Sequence, residues 1–189
     1  MAREPDDVGA LLALLAAGLV TGALARFVVP GRYRALYERE GRAAGVDPDE
    51  LHALALKETR ERADLPASRN TNGTYDHGLM RITDVNVAAS GYTAAELDRD
   101  PAAGVRTAAR LLADVTRQAP HLSAADRFSV YNAGFSPQTR AGEPRRPKLN
   151  AAGVWWNADY VRDVYRWYAL VKAARYGGVL VTTPGWRPA

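Results

Sequence analysis

Apolar residues recur at helical spacing through most of the chain after residue 31. This periodicity predicts helices over 32–43, 48–61, 84–90, 94–98, 101–118, 124–131 and 158–175. Asp47 and Pro48 form a strong start signal as N-cap and first helical residue, and Glu50 is placed to close a capping box. No strand-like alternation of useful length accompanies these helices, so the pattern predicts a mainly α fold.

Two segments interrupt the helical pattern. Residues 68–77 contain Asn72-Gly73, the strongest short signal for a hairpin turn, which predicts a small β-hairpin. Residues 135–156 combine three prolines with several basic residues and a pair of tryptophans, and they predict a long loop. Loops of this length inside a domain are usually functional or disordered.

A long apolar stretch lies near the N-terminus. Residues 8–25 carry no charged side chain, and with Arg26 tolerated near its end the stretch reaches Val29, which is just long enough to span a bilayer. A secretory signal is an alternative because Ala23-Leu24-Ala25 resembles a cleavage site, although the preceding residues are acidic. A buried helix of the domain is a further alternative. A transmembrane helix is favoured, which divides the chain into a hydrophobic helix over 1–30, a domain over 31–176 and a tail over 177–189.

Charge and composition narrow the possible functions only slightly. The net charge is +4, and the acidic residues near the N-terminus leave the basic excess to the rest of the chain. Such a domain suits an anionic polymer such as cell-wall glycan, teichoic acid or nucleic acid, but an ordinary soluble surface explains the charge equally well. There is no cysteine, and His52, His77 and His121 lack metalloenzyme spacing, so neither a metal nor a cofactor is predicted.

Glu58 is the first candidate for chemistry. Leu51, Leu54 and Ala55 form the apolar stripe of helix 48–61, and Glu58 continues the same stripe one turn later. It either marks the edge of the core, where it pairs with an arginine, or it is an acid at the edge of a low-dielectric cleft. In the second case desolvation raises its pKa, which suits a general acid near neutral pH.

The segment Gly78-Leu79-Met80 follows the hairpin and suggests a second wall of the same cleft. Gly78 permits close approach of the backbone to a ligand or to a neighbouring helix. The alternative is an ordinary surface hairpin with Leu79 and Met80 in the core.

Five short motifs then occur in a fixed order. They are Glu58-Thr59, Asn72-Gly73-Thr74-Tyr75-Asp76, Gly78-Leu79-Met80-Arg81-Ile82, Tyr131-Asn132-Ala133-Gly134 and Tyr160-Val161. In order and approximate spacing the chain resembles the lytic transglycosylase SLT family, above all its small specialised members that accompany secretion systems, pili and phage particles. The resemblance covers about residues 33–175.

The resemblance implies a goose-type, lysozyme-like helical fold and cleavage of the MurNAc–GlcNAc β-1,4 bond of peptidoglycan. In this family a single glutamate protonates the glycosidic oxygen and then draws the proton from the C6 hydroxyl of MurNAc, which gives a 1,6-anhydro product. The N-acetyl group of the substrate replaces a protein nucleophile. Carried over to this sequence, Glu58 is the acid and base.

The resemblance also implies a set of substrate-binding residues: Thr59, Asp76, Gly78, Leu79, Met80, Arg81, Tyr131, Asn132 and Tyr160. Met80 and the backbone of 78–80 are expected to line the sugar cleft, and Tyr131 and Asn132 to contact substrate near Glu58. Tyr160 is expected to bond and orient the Glu58 carboxyl. Core packing of Tyr160 and a helix-capping role for Asn132 are the alternatives.

Two residues depart from the family pattern. Thr59 replaces the usual serine and keeps its hydroxyl. Arg81 replaces the usual glutamine, which exchanges a neutral amide for a fixed cation without an acceptor. In the cleft, Arg81 would either bind a substrate carboxylate or pair with Glu58, lower its pKa and damage its role as an acid.

Three hypotheses about function are compatible with the sequence. The leading hypothesis is a membrane-associated lytic transglycosylase that acts on peptidoglycan. Residues 8–29 would lie in the membrane, and the protein would belong to a larger envelope-spanning or virion assembly. A hydrolytic muramidase would need a second carboxylate, for which Asp76 is the candidate. A domain disabled by Arg81 would only bind glycan. Nucleic acid is not an expected partner because no recognised motif is present.

The expected location is the cell envelope or a virion. Arg26, Arg32 and Arg34 follow the hydrophobic segment, and the positive-inside rule would place the domain in the cytoplasm, away from the wall. A virus could use this orientation to keep the enzyme from the wall until delivery, whereas a bacterial enzyme would face the periplasm.

Overall fold

The computed structural model describes Val29, residues 31–137 and residues 143–176. The described residues form seven helices: α1 Arg34–Ala44, α2 Pro48–Thr59, α3 Asp84–Ser90, α4 Ala94–Arg99, α5 Pro101–Gln118, α6 Ala124–Ala133 and α7 Ala158–Tyr176. Three short strands lie between α2 and α3: β1 Ser68–Arg69, β2 Tyr75–His77 and β3 Ile82–Thr83. The prediction of a mainly α fold is confirmed.

Helix α2 lies at the centre of the domain. It packs against α1, α5 and α7, and five of its residues, Leu51, Ala53, Leu54, Ala55 and Leu56, are completely buried. Because neighbours surround the helix, its buried surface is wider than the single stripe read from the sequence. Burial of each leucine contributes roughly 1.5–3 kcal/mol to stability. The well-packed helix α2 therefore holds Glu58 in a fixed position.

The start of α2 is capped differently from the prediction. The Asp47 carboxylate accepts a hydrogen bond from Asp49 N at 2.9 Å, and Pro48 occupies the first helical position, as expected. The predicted capping box with Glu50 is wrong, because Glu50 is buried and its carboxylate forms an ion pair with Arg127 of α6. A buried carboxylate is costly unless it has a charged partner, and the pairing of Glu50 with Arg127 therefore takes precedence over capping the helix.

Helix α2 also ends earlier than its predicted limit at residue 61. It stops at Thr59, and the next two residues adopt left-handed backbone conformations, with φ of 53° at Arg60 and 59° at Glu61. The buried Glu61 carboxylate accepts hydrogen bonds from Arg32 N at 3.0 Å and from Tyr37 Oη at 2.9 Å. These bonds to the start of α1 turn the chain out of the helix.

The predicted hairpin is present and belongs to a three-stranded antiparallel sheet in the order β1-β2-β3. Ser68 pairs with Asp76, and the loop 70–74 contains Gly73 at φ 87°. Asn72 Oδ1 accepts a hydrogen bond from Thr74 N at 3.1 Å and stabilises the turn. Strand β3 was not predicted, because two residues are too few to show alternation.

The membrane prediction concerns residues that the structure does not describe. Apart from Val29, the predicted span 8–29 lies outside the described residues, as does the tail 177–189. Within 31–137 and 143–176, none of the helices combines the length and the apolar character needed to cross a bilayer.

Candidate active site

Glu58 is the penultimate residue of α2, and it meets α7 at the edge of the core. Tyr160 Oη donates a hydrogen bond to Glu58 Oε1 at 2.6 Å, so the contact expected from the resemblance is present. Burial among protein atoms raises the pKa of Glu58 and outweighs the opposing hydrogen bond from Tyr160 and the charge of Lys57. Glu58 as a whole is half-buried, so part of the residue remains at the surface of the domain.

Two tyrosine hydroxyls flank this acid. Tyr131 Oη donates to the carbonyl oxygen of Met80 at 2.9 Å, while Tyr160 Oη donates to Glu58. Burial raises the pKa of both tyrosines well above the usual value, and the charges of Glu58 and Asp76 raise it further. Both hydroxyls therefore stay protonated at neutral pH and act as hydrogen-bond donors.

A cleft of about 890 Å³ lies beside these residues. The loop 70–74 lines one side of it, and the end of α6 together with residues 148, 149 and 156 lines the other. Asp76 lines the cleft, and its charge contributes to the raised pKa of Glu58. Glu58 itself is not among the described residues that line the cleft. Asp76 Oδ1 is buried and accepts no hydrogen bond from any described residue.

The motif Gly78-Leu79-Met80 lies behind the cleft wall. Leu79 is 1% exposed and Met80 is 0% exposed, so their side chains pack in the core, and neither residue lines the cleft. The expectation that Met80 lines the sugar cleft is wrong, and the alternative that places Leu79 and Met80 in the core is confirmed. Gly78 has a φ of 63° and lies directly against the Leu97 carbonyl of α4, so its close approach is to a helix.

Thr59 also serves the interior. It is 2% exposed, and its hydroxyl donates to the carbonyl oxygens of Ala55 at 3.2 Å and Leu79 at 3.1 Å. The buried position of Thr59 therefore does not allow direct contact with a substrate. The hydroxyl instead joins the helix that carries Glu58 to the segment behind the cleft.

Arg81 binds main-chain carbonyls. Its Nη1 donates to Pro66 O at 2.7 Å and to Asp76 O at 3.3 Å, from a backbone with φ 49°. Arg81 and Glu58 form no ion pair, and the arginine charge is the smallest of the influences on the pKa of Glu58. The pairing that would have disabled the acid is absent.

Asn132 is exposed on the cleft side of α6. Asn157 Nδ2 donates to Asn132 Oδ1 at 2.8 Å, and Asn157 Oδ1 accepts from Ser129 Oγ at 2.7 Å. Because α6 continues to Ala133, Asn132 lies within the helix and does not cap it. The orienting role of Asn157 was not predicted, since its position in the sequence indicated only a helix start.

His77 and two aspartates form a hydrogen-bonded cluster at the sheet. His77 Nε2 lies 2.9 Å from Asp84 Oδ1, and His77 Nδ1 lies 3.1 Å from Asp98 Oδ2. The two carboxylates also accept hydrogen bonds from Tyr75 N and Gly78 N. Burial lowers the pKa of His77, but the two aspartates outweigh burial and raise it. The sequence contains no local pattern that indicates Asp84 and Asp98 as the partners of His77.

No group of three or more histidine, aspartate or glutamate side chains in the described ranges is arranged to hold a metal ion. What the described site offers is one half-buried acid with a raised pKa, held by a tyrosine near a cleft, in a helical domain with a small sheet. These features define the lysozyme-like class of helical domains.

Comparison with known proteins identifies the family. The family model for the transglycosylase SLT domain matches residues 35–151, more than half of the chain, and the chain belongs to this family. The match includes Glu58 and Tyr131 and ends before Tyr160. Membership indicates a transglycosylase that acts on peptidoglycan at the cell wall.

Curated relatives extend the similarity over most of the chain. An X polypeptide of Escherichia coli is 27% identical over 150 residues, which cover 78% of this chain and 79% of that protein. An X polypeptide of Escherichia coli strain K12 is 28% identical over 142 residues, with 74% and 75% covered. The similarity therefore reaches beyond the residues matched by the family model.

Proposed function

We propose that this protein is a lytic transglycosylase that cleaves the β-1,4 bond between MurNAc and GlcNAc and leaves a 1,6-anhydroMurNAc end. The observation that carries the proposal is Glu58, whose pKa is raised by burial and whose Oε1 is held by Tyr160 at 2.6 Å. With Oε1 engaged, Oε2 carries the proton that is transferred. A carboxyl with a raised pKa is suited to donate a proton near neutral pH.

The reaction uses Glu58 twice. The protonated carboxyl gives its proton to the glycosidic oxygen while the bond from that oxygen to C1 of MurNAc breaks, and the GlcNAc unit leaves with a hydroxyl at C4. The N-acetyl oxygen of the substrate shares the positive charge at C1. The Glu58 carboxylate then accepts the proton of the C6 hydroxyl as O6 bonds to C1. No water enters the products, and Glu58 ends protonated again.

Several neighbours support this cycle. Tyr160 stabilises the carboxylate form between the two proton transfers by donating a hydrogen bond to it. The Asp76 carboxylate lies on the cleft side and carries a charge opposite to the one that develops at C1. Asn132 and loop 70–74 line the cleft and are proposed to contact the sugars.

A hydrolytic muramidase is the second candidate, favoured by one observation. Asp76 Oδ1 is buried next to the acid and accepts no hydrogen bond from the described residues. Asp76 lines the cleft, and its carboxylate would be the group that accepts a hydrogen bond from a water that attacks C1 once a ligand opens access to it. A merely glycan-binding domain is less favoured, because Arg81 binds the carbonyls of Pro66 and Asp76 instead of the acid.

Mass spectrometry of the products separates these functions. Purified peptidoglycan is incubated with the full chain and, as a matched control, with Glu58→Gln, which keeps the size of the side chain. Anhydro-muropeptides, each lighter by one water than the hydrolysed form, should appear and should fall by at least about a hundredfold in the control. Reducing-end products would instead establish the muramidase, and products unchanged by Glu58→Gln would refute the assigned acid.

We also propose that the enzyme opens the wall locally while residues 8–29 anchor it in a membrane, within an envelope-spanning or virion assembly. The support is the uncharged stretch 8–25. Carbonate extraction of membranes from cells that produce the full chain tests the anchor, and release into the soluble fraction would oppose it. Protease accessibility of the domain then distinguishes a periplasmic domain from one kept in the cytoplasm before delivery.

A further inference from the structure

Residues 143–156, here called the arm, form an ordered wall of the cleft. Trp156 N donates to Lys148 O at 2.9 Å, and Asn150 N donates to Val154 O at 2.8 Å, so the chain doubles back on itself. Leu149 and Trp155 form an antiparallel bridge within this turn. The arm thus has a defined backbone, although the sequence predicted only a long loop.

Contacts with the rest of the domain fix the position of the arm. Trp155 Nε1 donates to Asp126 Oδ1 of α6 at 2.9 Å, and Ser136 N donates to Arg146 O at 2.9 Å. Pro147 is buried at the base of the arm. These contacts hold the neighbouring residues Lys148 and Trp156 at the cleft.

Among the described residues, the side chains of Lys148 and Trp156 form no hydrogen bond or ion pair with the rest of the domain. Lys148 is the one basic residue among the described residues that line the cleft, and it forms no ion pair with any described carboxylate. Its Nζ lies beside Gly134 at the end of α6. The Trp156 side chain is 74% exposed. A cation and an exposed indole side by side in a cleft suit a ligand that has a carboxylate next to an apolar ring face.

We propose that Lys148 and Trp156 form a subsite for a muramoyl residue, in which Trp156 packs on the sugar ring and Lys148 binds a carboxylate carried at the 3-O-lactyl group. The inference rests on the proposed function, which makes a glycan strand the occupant of the cleft. The carboxylate is either that of the lactyl group itself, in a glycan without peptides, or one borne by the attached peptide. An N-acetylglucosamine polymer has neither, so Lys148 distinguishes muramoyl glycan from chitin.

Binding to three oligosaccharides tests the subsite. The full chain carries Glu58→Gln to stop turnover, and its Kd is measured for peptide-bearing muramoyl oligomers, for the same oligomers stripped by an amidase, and for N-acetylglucosamine oligomers. Adding Lys148→Gln should raise Kd by about 3- to 10-fold for at least one muramoyl ligand and leave the chitin oligomer unchanged. Arg117→Gln, which removes an equal charge from the exposed surface of α5, is the control and should change none of them.

The pattern of losses identifies the carboxylate. A loss confined to peptide-bearing oligomers assigns it to the peptide, and a loss confined to stripped oligomers assigns it to the lactyl group. Equal losses on all three ligands, or no loss, would overturn the role of Lys148. Trp156→Ala should weaken all three by about 3- to 10-fold, and unchanged binding would overturn the stacking.

The same preparations separate this inference from the proposed reaction. The chain with Glu58 intact is assayed for muropeptide release in parallel with the binding measurements. Release by the intact chain together with a Lys148→Gln variant that binds normally would refute the subsite alone. The absence of release together with a selective loss of binding in Lys148→Gln would refute the reaction alone.

Discussion

Replacing Gly78 with alanine tests how closely the segment behind the cleft is fitted to α4. A Cβ at this position would lie 2.0 Å from the carbonyl oxygen of Leu97 and 2.8 Å from its carbon. Both atoms belong to the main chain of a helix, so no side-chain rotation relieves the contact. Gly78 also has a φ of 63°, and its N–H donates to Asp98 Oδ1 at 2.9 Å, which further restricts any movement.

The expected loss of stability follows from two contributions. The left-handed conformation costs about 1–2 kcal/mol for a residue with a Cβ, and separating β2 from α4 to relieve the overlap costs about 1–3 kcal/mol. Gly78→Ala should therefore lower the free energy of unfolding by about 2–5 kcal/mol. Gly73 provides the matched control, because it has a φ of 87° and its added Cβ would meet nothing within 4 Å. Gly73→Ala should cost only about 1–2 kcal/mol.

Urea denaturation of the full chain and of both variants measures these losses. The difference between the variants, about 1–3 kcal/mol, isolates the overlap with α4 from the left-handed conformation that both glycines share. In a domain of this size it corresponds to a difference of several degrees in Tm. Equal losses in the two variants would refute the close fit and would mean that α4 moves away freely.

Three further variants address the acid, the core and the sheet. Tyr160→Phe removes a hydrogen bond that favours the carboxylate, so the pKa of Glu58 should rise. The alkaline limb of the pH–rate profile should therefore move to higher pH, with a rate about tenfold lower. A move of this limb to lower pH would contradict the role of Tyr160. Arg127→Met leaves buried Glu50 without its cation and should cost about 3–5 kcal/mol in denaturation, whereas adding Glu50→Leu to the same chain should recover much of the loss. The folded-state pKa of His77 is raised, so its stabilisation is complete below its unfolded pKa of about 6.5 and disappears as the pH rises through the folded-state value. Unfolding free energies should therefore converge between wild type and His77→Gln as the pH increases, and a constant gap would refute the ionic role.

The helices were predictable because their signals are local. The start at Asp47-Pro48 depends on residues within one turn, and the structure has it. The capping boxes that the structure shows at Thr93 and Ser123 are equally local, because each joins residues three apart. The predicted capping box at Glu50 was wrong because its partner is 77 residues away on α6. No local pattern contains that information.

The candidate site was likewise predictable only where its signals are local or where the family resemblance supplies them. The place of Glu58 on the apolar stripe of α2 was readable from periodicity, and its link to Tyr160 came from the family resemblance. The interior role of Thr59 was not readable, because its hydroxyl bonds a main-chain carbonyl of another element. A core position for Met80 was one of two alternatives that the sequence left open, and only packing in the folded domain decides between them. Arg81 likewise turns away from the acid because two carbonyl groups accept its hydrogen bonds.

The early end of α2 has an electrostatic consequence for the acid. Glu58 lies in the final turn of the helix, just before the left-handed residues Arg60 and Glu61. The aligned peptide dipoles of α2 place partial negative charge at this end, which opposes a negative side chain there and raises the pKa of Glu58 in addition to the effect of burial. Because this field comes from the main chain, it persists when side chains around the cleft change. The residues that line the cleft can therefore vary in sequence while this contribution to the raised pKa of Glu58 is retained.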